Sequence, residues 1–343
     1  MAKKRIRIVQ VGCGSISRTW LRAALLLPAV EVVGLVDLSR PAAEQRADSF
    51  NLSHDLIYPS LRAVLSGARP EVVFDTTVPA AHDQVTIPAL RAGCHVLGEK
   101  PMTISIAKAH RMIAAAKKAR RLYAVIQNRR YDANITALVR FLRASRIGRI
   151  AEIHCQYFAS PHFGGFREQI PDTLLFEMGI HTFDAARFIT GADPLNVYCH
   201  SSNPKHTWYK GNASASAIFE MTGGMVYTYC ASWCAHGLMT SWNSRWRIIG
   251  SKGTVEWNGE TGFAAEVLAG ARPKGLWAPV KSVRVPVRQM KRTGHEAIIR
   301  EFIDCVRSGK TPQTYCTDNV KSLAMILSAI RSSRTGRRVA VQW

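Results

Sequence analysis

Two segments of the sequence carry side chains that could move a proton during catalysis. The first contains Lys100, within a Glu-Lys-Pro tripeptide that follows a short apolar run. A lysine at the carboxyl edge of a sheet can orient a hydroxyl group and relay its proton. The second is a strongly apolar helical segment in which Glu177, His181 and Asp184 are spaced i, i+4 and i+7. That spacing predicts three side chains on one helical face, with His181 as a general base.

Each segment also has a purely structural interpretation. The Glu-Lys-Pro tripeptide could be an ordinary charged turn, and His181 could be a buried histidine hydrogen-bonded to the two neighbouring carboxylates. Glutamate, histidine and aspartate are also metal ligands. The segment has no second histidine or cysteine at ligand spacing, so we predict no metal site.

A glycine-rich turn near the N-terminus indicates dinucleotide binding. The run Gly12-Cys13-Gly14-Ser15-Ile16-Ser17 follows a predicted strand and opens a helix. The first glycine permits a tight turn, the second lets the backbone approach a pyrophosphate, and the helix N-terminus attracts phosphate. A plain glycine turn is the alternative.

The residue that ends the next strand favours NAD over NADP. Asp37 could accept hydrogen bonds from the ribose hydroxyls and would repel a 2′-phosphate. Arg40, three residues later, could support such a phosphate and keeps NADP possible. A helix cap or turn is the alternative role of Asp37.

The hydrophobic pattern changes character near Asn128. Before it, apolar runs alternate with helical segments, which indicates an α/β domain with a parallel, doubly wound sheet. After a linking helix at 133–144, strands follow one another mostly through turns, which indicates antiparallel pairing. We predict a dinucleotide-binding domain at 1–128 and an α+β domain at 129–343 for substrate binding and oligomerisation. One strong helix, at 173–190, interrupts the strands of the second domain.

Composition limits the class of protein. The 343 residues are 47% apolar, which suits two globular domains, and no apolar run is long enough to span a membrane. Eight scattered cysteines and the lack of a signal peptide predict a cytoplasmic protein.

The net charge of +22 at first suggests a nucleic-acid partner. Residues 108–149 hold twelve basic residues and one acidic residue, Asp132. Because those charges alternate with apolar helical positions, and no recognition-helix motif is present, we expect a basic surface without a specific nucleic-acid partner.

Tryptophans and polar side chains are interleaved in the second half of the chain. Aromatic faces beside amides and hydroxyls suit a sugar ring, which is apolar on its faces and polar at its rim. We therefore predict that Trp233 and Trp242 contact a sugar-like substrate. Core packing or a subunit interface explains these tryptophans equally well.

In their order along the chain, these motifs resemble those of the Gfo/Idh/MocA oxidoreductases. The matching residues are GCGSIS, Asp37, Thr76-Thr77 with His82, AGCHVLGEKP, QNRRY and EMGIHTFD. The resemblance implies a Rossmann-like N-terminal domain and a C-terminal open antiparallel sheet, often used to form a homo-oligomer, here a dimer or tetramer. It also implies hydride transfer between NAD(H) or NADP(H) and a sugar, polyol, sugar acid or glycoside.

The resemblance further assigns individual residues. It implies that Lys100 and His181 are catalytic, and that Arg130, Tyr131 and Asp184 lie near the substrate. The family often has aspartate four residues before the histidine, where this chain has the longer Glu177, which we expect to orient His181. The expected cofactor contacts are Gly12, Gly14, Ser15, Ile16, Asp37, Thr76, Thr77, His82, Glu99 and Lys100.

Two other functions stay open on the sequence. Some relatives use tightly held NAD to oxidise a sugar transiently and then cleave or eliminate, without net release of NADH. A dinucleotide-sensing regulator without catalysis is the other alternative, and the basic charge gives it some support.

Overall fold

The computed structural model describes residues 4–270 and 276–343, and the chain divides into two compact units. The first unit comprises Met1–Tyr131 and Arg292–Leu323, and the second comprises Asp132–Lys291 and Ala324–Trp343. Within the described residues, no helix is long and apolar enough to cross a membrane.

Helices and strands alternate through the first part of the chain, and strands dominate the second. The strands are β1 (Ile6–Val11), β2 (Val30–Val36), β3 (Ile57–Tyr58), β4 (Val72–Asp75), β5 (His95–Gly98), β6 (Tyr123–Val125), β7 (Ile150–Phe158), β8 (Pro194–Ser202), β9 (Ser214–Met221), β10 (Val226–Ser232), β11 (Arg245–Gly250), β12 (Gly253–Trp257), β13 (Phe263–Leu268), β14 (Val280–Ser282) and β15 (Val339–Ala340). The α-helices are α1 (Ser17–Leu25), α2 (Arg40–Asp48), α3 (Leu61–Gly67), α4 (His82–Arg91), α5 (Ile106–Ala119), α6 (Ala133–Arg143), α7 (Ile180–Thr190), α8 (Gly294–Ser308) and α9 (Cys316–Thr335).

The first unit is built on a parallel sheet with the strand order β3-β2-β1-β4-β5-β6. This is the order of doubly wound dinucleotide-binding folds, so the predicted fold class is confirmed. Ile8 and Val9 point to opposite faces of β1, and both are completely buried. The sheet is therefore covered on both sides, which explains why its strands are apolar throughout.

A segment near the C-terminus, 292–323, belongs to the first unit, whereas the sequence placed it in the second domain. Helix α8 has an apolar stripe that includes Ile299 and Phe302, and both side chains are completely buried in a core shared with Trp20. The first break, at Tyr131, lies close to the predicted boundary after residue 128. The sequence did not assign segment 292–323 to the first unit, because the apolar stripe of a helix does not reveal which sheet the helix will cover.

The second unit is built on a sheet with the order β14-β13-β12-β11-β7-β10-β9-β8-β15. Its pairs are antiparallel except β7 with β10, which are parallel. The α+β architecture is thus confirmed, with a mixed and mostly antiparallel sheet. The sequence did not predict β13, β14 or β15, which lie at or next to the edges of the sheet and are half-buried or exposed along most of their length.

The strong helix predicted at 173–190 contains a change of helical type. Leu174–Gly179 forms a π-helical turn, and α7 begins at Ile180. A π-helix closes its hydrogen bonds at i→i+5, so the turn before His181 does not have the α-helical phase that the i, i+4 spacing assumed. Phe183 fixes α7 on the sheet through edge-on contacts with Phe219 and Tyr229, with ring centroids 4.9 and 5.1 Å away.

Candidate functional site

The predicted cofactor residues lie at one edge of the parallel sheet in the first unit. Val11 at the end of β1 pairs with Val36 of β2 and with Asp75 of β4, and Asp75 pairs with Gly98 of β5. The glycine turn, Asp37, Thr76-Thr77 and Glu99-Lys100 follow directly after these strand ends. Open α/β sheets bind their ligands at this carboxyl edge.

The glycine turn has the geometry of a phosphate cradle. Gly12 has φ +89°, and a Cβ there would lie 2.7 Å from the carbonyl of Thr76, so the turn requires glycine. At Gly14 a Cβ would meet no atom within 4 Å, which leaves space in front of the turn. Within the described chain, the backbone N–H groups of Ser15 and Ile16 find no protein acceptor, so both can bind an anion at the start of α1. These features fit a dinucleotide pyrophosphate.

Asp37 lies beside the glycine turn and stabilises it. Its carboxylate accepts hydrogen bonds from the N–H groups of Cys13 at 2.7 Å and Ser39 at 2.8 Å. The N-cap of α2 is Ser39, so Asp37 is not the helix cap that the sequence left open. Its carboxylate oxygens keep further lone pairs for ribose hydroxyls. Arg40 forms an ion pair with Glu44 at 2.8 Å, so its charge is partly neutralised.

The residues after β4 form hydrogen bonds that connect the loops at the carboxyl edge of the sheet. The Thr76 hydroxyl donates to the carbonyl of Gly12 at 2.7 Å, and the Thr77 hydroxyl donates to Asp75 at 2.6 Å. His82 is buried, with Nε2 3.1 Å from the Thr77 carbonyl oxygen and Nδ1 3.1 Å from that of Pro101. His82 therefore connects the loop after β4 to the turn that carries Lys100.

Glu99 is a buried carboxylate immediately before Lys100. It accepts hydrogen bonds from the indole Nε1–H of Trp20 at 2.8 Å and from the N–H of Lys100 at 3.0 Å, and His295 Nε2 lies 3.9 Å away. Burial by itself would raise the pKa of Glu99, but His295, Lys100 and Trp20 together hold it below its usual range. The Lys100–Pro101 peptide bond is cis.

Sequence reasoning missed Trp20 and His295 as part of this site. Trp20 belongs to the buried face of α1, and His295 begins a helix almost two hundred residues after Glu99. No capping pattern or motif in either helix points to Glu99. The two helices reach this carboxylate only through tertiary packing.

The second unit carries the other predicted catalytic group. His181 is half-buried in the first turn of α7, Asp184 is buried in the same helix, and Glu177 is buried in the preceding π-helical turn. Glu177 accepts a hydrogen bond from Arg167 Nε at 3.3 Å. Nothing in the sequence singled out Arg167, which comes from the loop after β7. Across the described part of the chain, no three His, Cys, Asp or Glu side chains are grouped to hold a metal ion.

Three loops leave the sheet of the second unit at the same edge as this segment. Phe158 at the end of β7 pairs with Ser232 at the end of β10, which pairs with Ser214 at the start of β9. The loops 159–173, 203–213 and 233–244 therefore start or end side by side. They are joined by backbone hydrogen bonds such as Lys210 N–H to the Glu168 carbonyl at 2.8 Å.

The two tryptophans predicted to bind sugar have different environments on these loops. Trp233 is 2% exposed and packs between Tyr209 and Phe163, with ring centroids 5.5 and 5.1 Å away. The alternative of core packing, left open by the sequence, describes Trp233. Trp242 is 55% exposed, and its ring centroid lies 5.9 Å from that of Tyr157.

Arg130 and Tyr131 belong to the first unit and are buried there. Arg130 Nη2 donates to Asp318 at 2.7 Å, Arg130 Nη1 donates to the Gln313 carbonyl at 3.1 Å, and the Tyr131 hydroxyl donates to Glu301. Burial, with Glu301, raises the pKa of Tyr131 above its usual value, so the phenol keeps its proton. These contacts tie the segment 292–323 to the end of the first chain segment.

Family models match both parts of the chain. Residues 6–127 match a model described as an oxidoreductase family with an NAD-binding Rossmann fold, and residues 135–256 match one described as the GFO/IDH/MocA C-terminal domain. Together they cover well over half of the 343 residues.

Characterised relatives and solved structures agree with those matches. A D-apiose dehydrogenase of Paraburkholderia graminis is 24% identical over 99% of this chain and 90% of the relative. An inositol 2-dehydrogenase of Saccharopolyspora erythraea is 24% identical over 100% and 97%. The fold is similar to that of an Agrobacterium radiobacter oxidoreductase solved with NAD+, L-tartaric acid and magnesium, with TM-score 0.86, 19% identity and coverage of 98% and 99%.

Proposed function

We propose that this chain, a member of the Gfo/Idh/MocA oxidoreductase family, uses Lys100 and His181 to exchange the proton of a substrate hydroxyl during NAD(P)-dependent hydride transfer. It is an oxidoreductase that acts on CH–OH groups of sugar-like molecules, as its relatives' names indicate. Transient-redox cleavage and non-catalytic sensing are not favoured by those names.

The carboxyl edge of the first sheet is the single observation that carries this proposal. The same edge presents the anion-binding turn, Asp37 and Lys100, so a dinucleotide bound across it would bring its reactive end towards the lysine. The bound nicotinamide supplies the hydride acceptor or donor.

The protein's part of the reaction is to hold the hydroxyl and manage its proton. In the oxidising direction the C–H bond breaks as a hydride leaves, and the O–H proton passes to an imidazole nitrogen of His181. We assign to Lys100 a hydrogen bond to a substrate oxygen, which would stabilise negative charge that develops there. We propose that Glu177, which accepts a hydrogen bond from Arg167, and the buried Asp184 orient the histidine.

Paired substitutions test these roles. Lys100→Ala and His181→Ala should each lower turnover by about 10²-fold to 10⁴-fold, the usual contribution of acid–base groups, while NAD affinity changes little. Lys117→Ala and His110→Ala are matched controls, because both side chains are exposed on α5. The measurement is NADH formation across sugars, polyols, sugar acids and glycosides, with NAD affinity by calorimetry. Wild-type turnover in both catalytic variants would contradict the assignment.

We also assign a homo-oligomer to the outer face of the second sheet. Leu195, Tyr198 and Ile218 are exposed there on neighbouring strands, and exposed apolar patches of this kind mark protein interfaces. Ile218→Asp should reduce the molar mass measured by light scattering during size-exclusion chromatography. An unchanged mass would argue against that face.

The cysteines support a cytoplasmic location. All eight are free thiols, seven of them buried. Burial raises the pKa of Cys13 to about 12, so this thiol in the glycine turn stays protonated and unreactive. Fractionation of cells that express the protein would test the location.

A further inference from the structure

An exposed apolar patch lies on the loops at the site edge of the second unit. We call this patch the rim, and its five side chains are Phe163, Phe166, Leu238, Met239 and Trp242. All five are exposed, three are aromatic, and they come from two separate loops. Exposed apolar groups concentrated in one place are uncommon on a protein surface unless they bind something.

Direct contacts join the two loops that carry the rim. The rings of Phe163 and Trp242 lie 6.2 Å apart, and Trp242 leans on Tyr157 at 5.9 Å. The Ser160 hydroxyl contacts the sulfur of Met239 at 3.7 Å, which is a second contact between the two loops. The rim is therefore carried by two loops that are in contact with each other.

The rim is continuous with the segment that carries the proposed catalytic histidine. The guanidinium of Arg167 lies over the rings of Phe166 and Phe163, 4.9 and 5.7 Å from their centroids. The same guanidinium donates to Glu177, which precedes His181 by four residues. The Arg167–Glu177 pair thus joins the rim to the segment that carries His181.

The chemistry of the rim suits a planar or chair-shaped ring with polar groups at its edge. Aromatic faces bind the apolar face of a second ring. Arg167 has five N–H donors in a fixed plane, and among the described residues only its Nε–H has an acceptor, Glu177, so the others can reach hydroxyls at the ring edge. A free polyol or monosaccharide at His181 would leave these faces uncovered.

We propose that the rim is a subsite for a ring joined to the reacting sugar by a glycosidic bond, so that the substrate class is a glycoside. This inference rests on the proposed function, because it takes His181 as the reacting end. The second ring can be an aryl group or another sugar, since both present an apolar face.

Calorimetry on the NAD complex tests the rim with defined probes. The probes are methyl and phenyl β-glycosides of glucose, galactose and mannose, with the corresponding β-1,4-linked disaccharides. In at least one series, we expect the phenyl glycoside or the disaccharide to bind about threefold to tenfold more tightly than the methyl glycoside, the range for one aromatic contact. If only the phenyl glycoside binds more tightly, the second ring is an aryl group. If the disaccharide binds more tightly, the second ring is a sugar.

Variants localise the effect. Trp242→Ala should remove the preference for the second ring, while Trp242→Phe should keep part of it. Trp277→Ala is the matched control, because Trp277 is also exposed, at 82%, and belongs to the same unit. Thermal unfolding of each variant shows whether the fold is retained.

Several outcomes would overturn the inference. Equal affinity for methyl, phenyl and disaccharide probes in all three series would do so, as would equal effects of Trp242→Ala and Trp277→Ala. A lower molar mass for Trp242→Ala with unchanged affinities would make the rim a subunit contact instead. If free sugars are oxidised in a Lys100-dependent reaction without any preference for glycosides, the proposed function stands and the rim subsite fails. If no compound reduces NAD, the proposed function fails, while the binding data still test the rim.

Discussion

The indole N–H of Trp20 donates a hydrogen bond of 2.8 Å to the buried carboxylate of Glu99. Through this contact the first helix after the glycine turn is attached to the strand end that carries Lys100. Both ends of the proposed cofactor site, the phosphate turn and the lysine, are therefore fixed to each other by one buried polar contact. The contact suggests a test in which stability and catalysis respond together.

Trp20→Phe should destabilise the protein by about 1–3 kcal/mol, since it keeps an aromatic side chain but removes the N–H that donates to the buried Glu99 carboxylate. Urea unfolding at pH 7 measures the change. Trp277→Phe is the control and should have almost no effect, because Trp277 is exposed. We also expect weaker Lys100-dependent turnover. Equal stability of the two variants would show that the indole contact is dispensable.

The ionisation of Glu99 adds a pH dependence to this effect. Its pKa lies below the ordinary value of 4.5, so the folded protein binds fewer protons there than the unfolded chain does. The stabilisation is complete above about pH 4.5 and is lost as the pH falls through the folded pKa. Glu99→Gln should therefore cost more stability at pH 7 than near pH 3, as measured by urea midpoints.

The ionisation of His95 should add a second change in folding stability, at a higher pH than that of Glu99. Its Nδ1 accepts a hydrogen bond from the N–H of Leu122 at 2.9 Å, and burial, with the nearby Arg121, lowers its pKa from 6.5 to about 4. Between these values the unfolded state binds a proton that the folded state does not, so stability falls as the pH drops from about 6.5 to about 4. His95→Gln should reduce the loss of unfolding free energy between pH 6.5 and pH 4 by on the order of 1 kcal/mol, a figure that allows for solvent screening of this partly buried group. An unchanged slope between pH 6.5 and pH 4 would contradict it.

Asp37 should set the preference between the two nicotinamide cofactors. Asp37→Asn removes the charge that repels a 2′-phosphate while keeping the shape of the side chain. The ratio of dissociation constants for NADP and NAD should shift towards NADP by about tenfold, or ~1.4 kcal/mol. Asp55→Asn, at an exposed position, provides the control. Calorimetric titration with each cofactor gives the ratio, and no shift would remove Asp37 from the ribose site.

Substitutions of the two glycines in the turn should have different effects on stability and on NAD binding. Gly12→Ala places a methyl 2.7 Å from the Thr76 carbonyl at a positive φ, so it should lower the stability of the whole protein by about 1–3 kcal/mol. Gly14→Ala meets no protein atom, so its unfolding should match wild type. Its methyl would stand where the pyrophosphate approaches, so NAD affinity should fall. Normal NAD affinity in Gly14→Ala would show that the phosphates lie elsewhere.

Local signals in the sequence determined the first sheet and its ligand edge. Gly12 and Gly14 could be interpreted because a tight turn and a close phosphate impose a residue type at a fixed place after a strand. Lys100 and His181 were proposed from motifs, since each lies in a short run that resembles one family. The strands of the second unit were predicted where apolar and polar residues alternate, and β13, β14 and β15 were missed because strands with little buried surface need little apolar alternation.

Tertiary structure alone decided which distant residues share a contact. His295 and Trp20 meet Glu99 because α1 and α8 pack on the same sheet, and no periodicity encodes which helices will be neighbours. Burial separated Trp233 from Trp242, two residues that composition treats alike. Arg167 reaches Glu177 from the loop after β7, and the conformation of that loop depends on the neighbouring strand ends. The sequence thus determined which chemistry is present, and packing determined which groups support it, because packing depends on the sum of many weak contacts far apart in the chain.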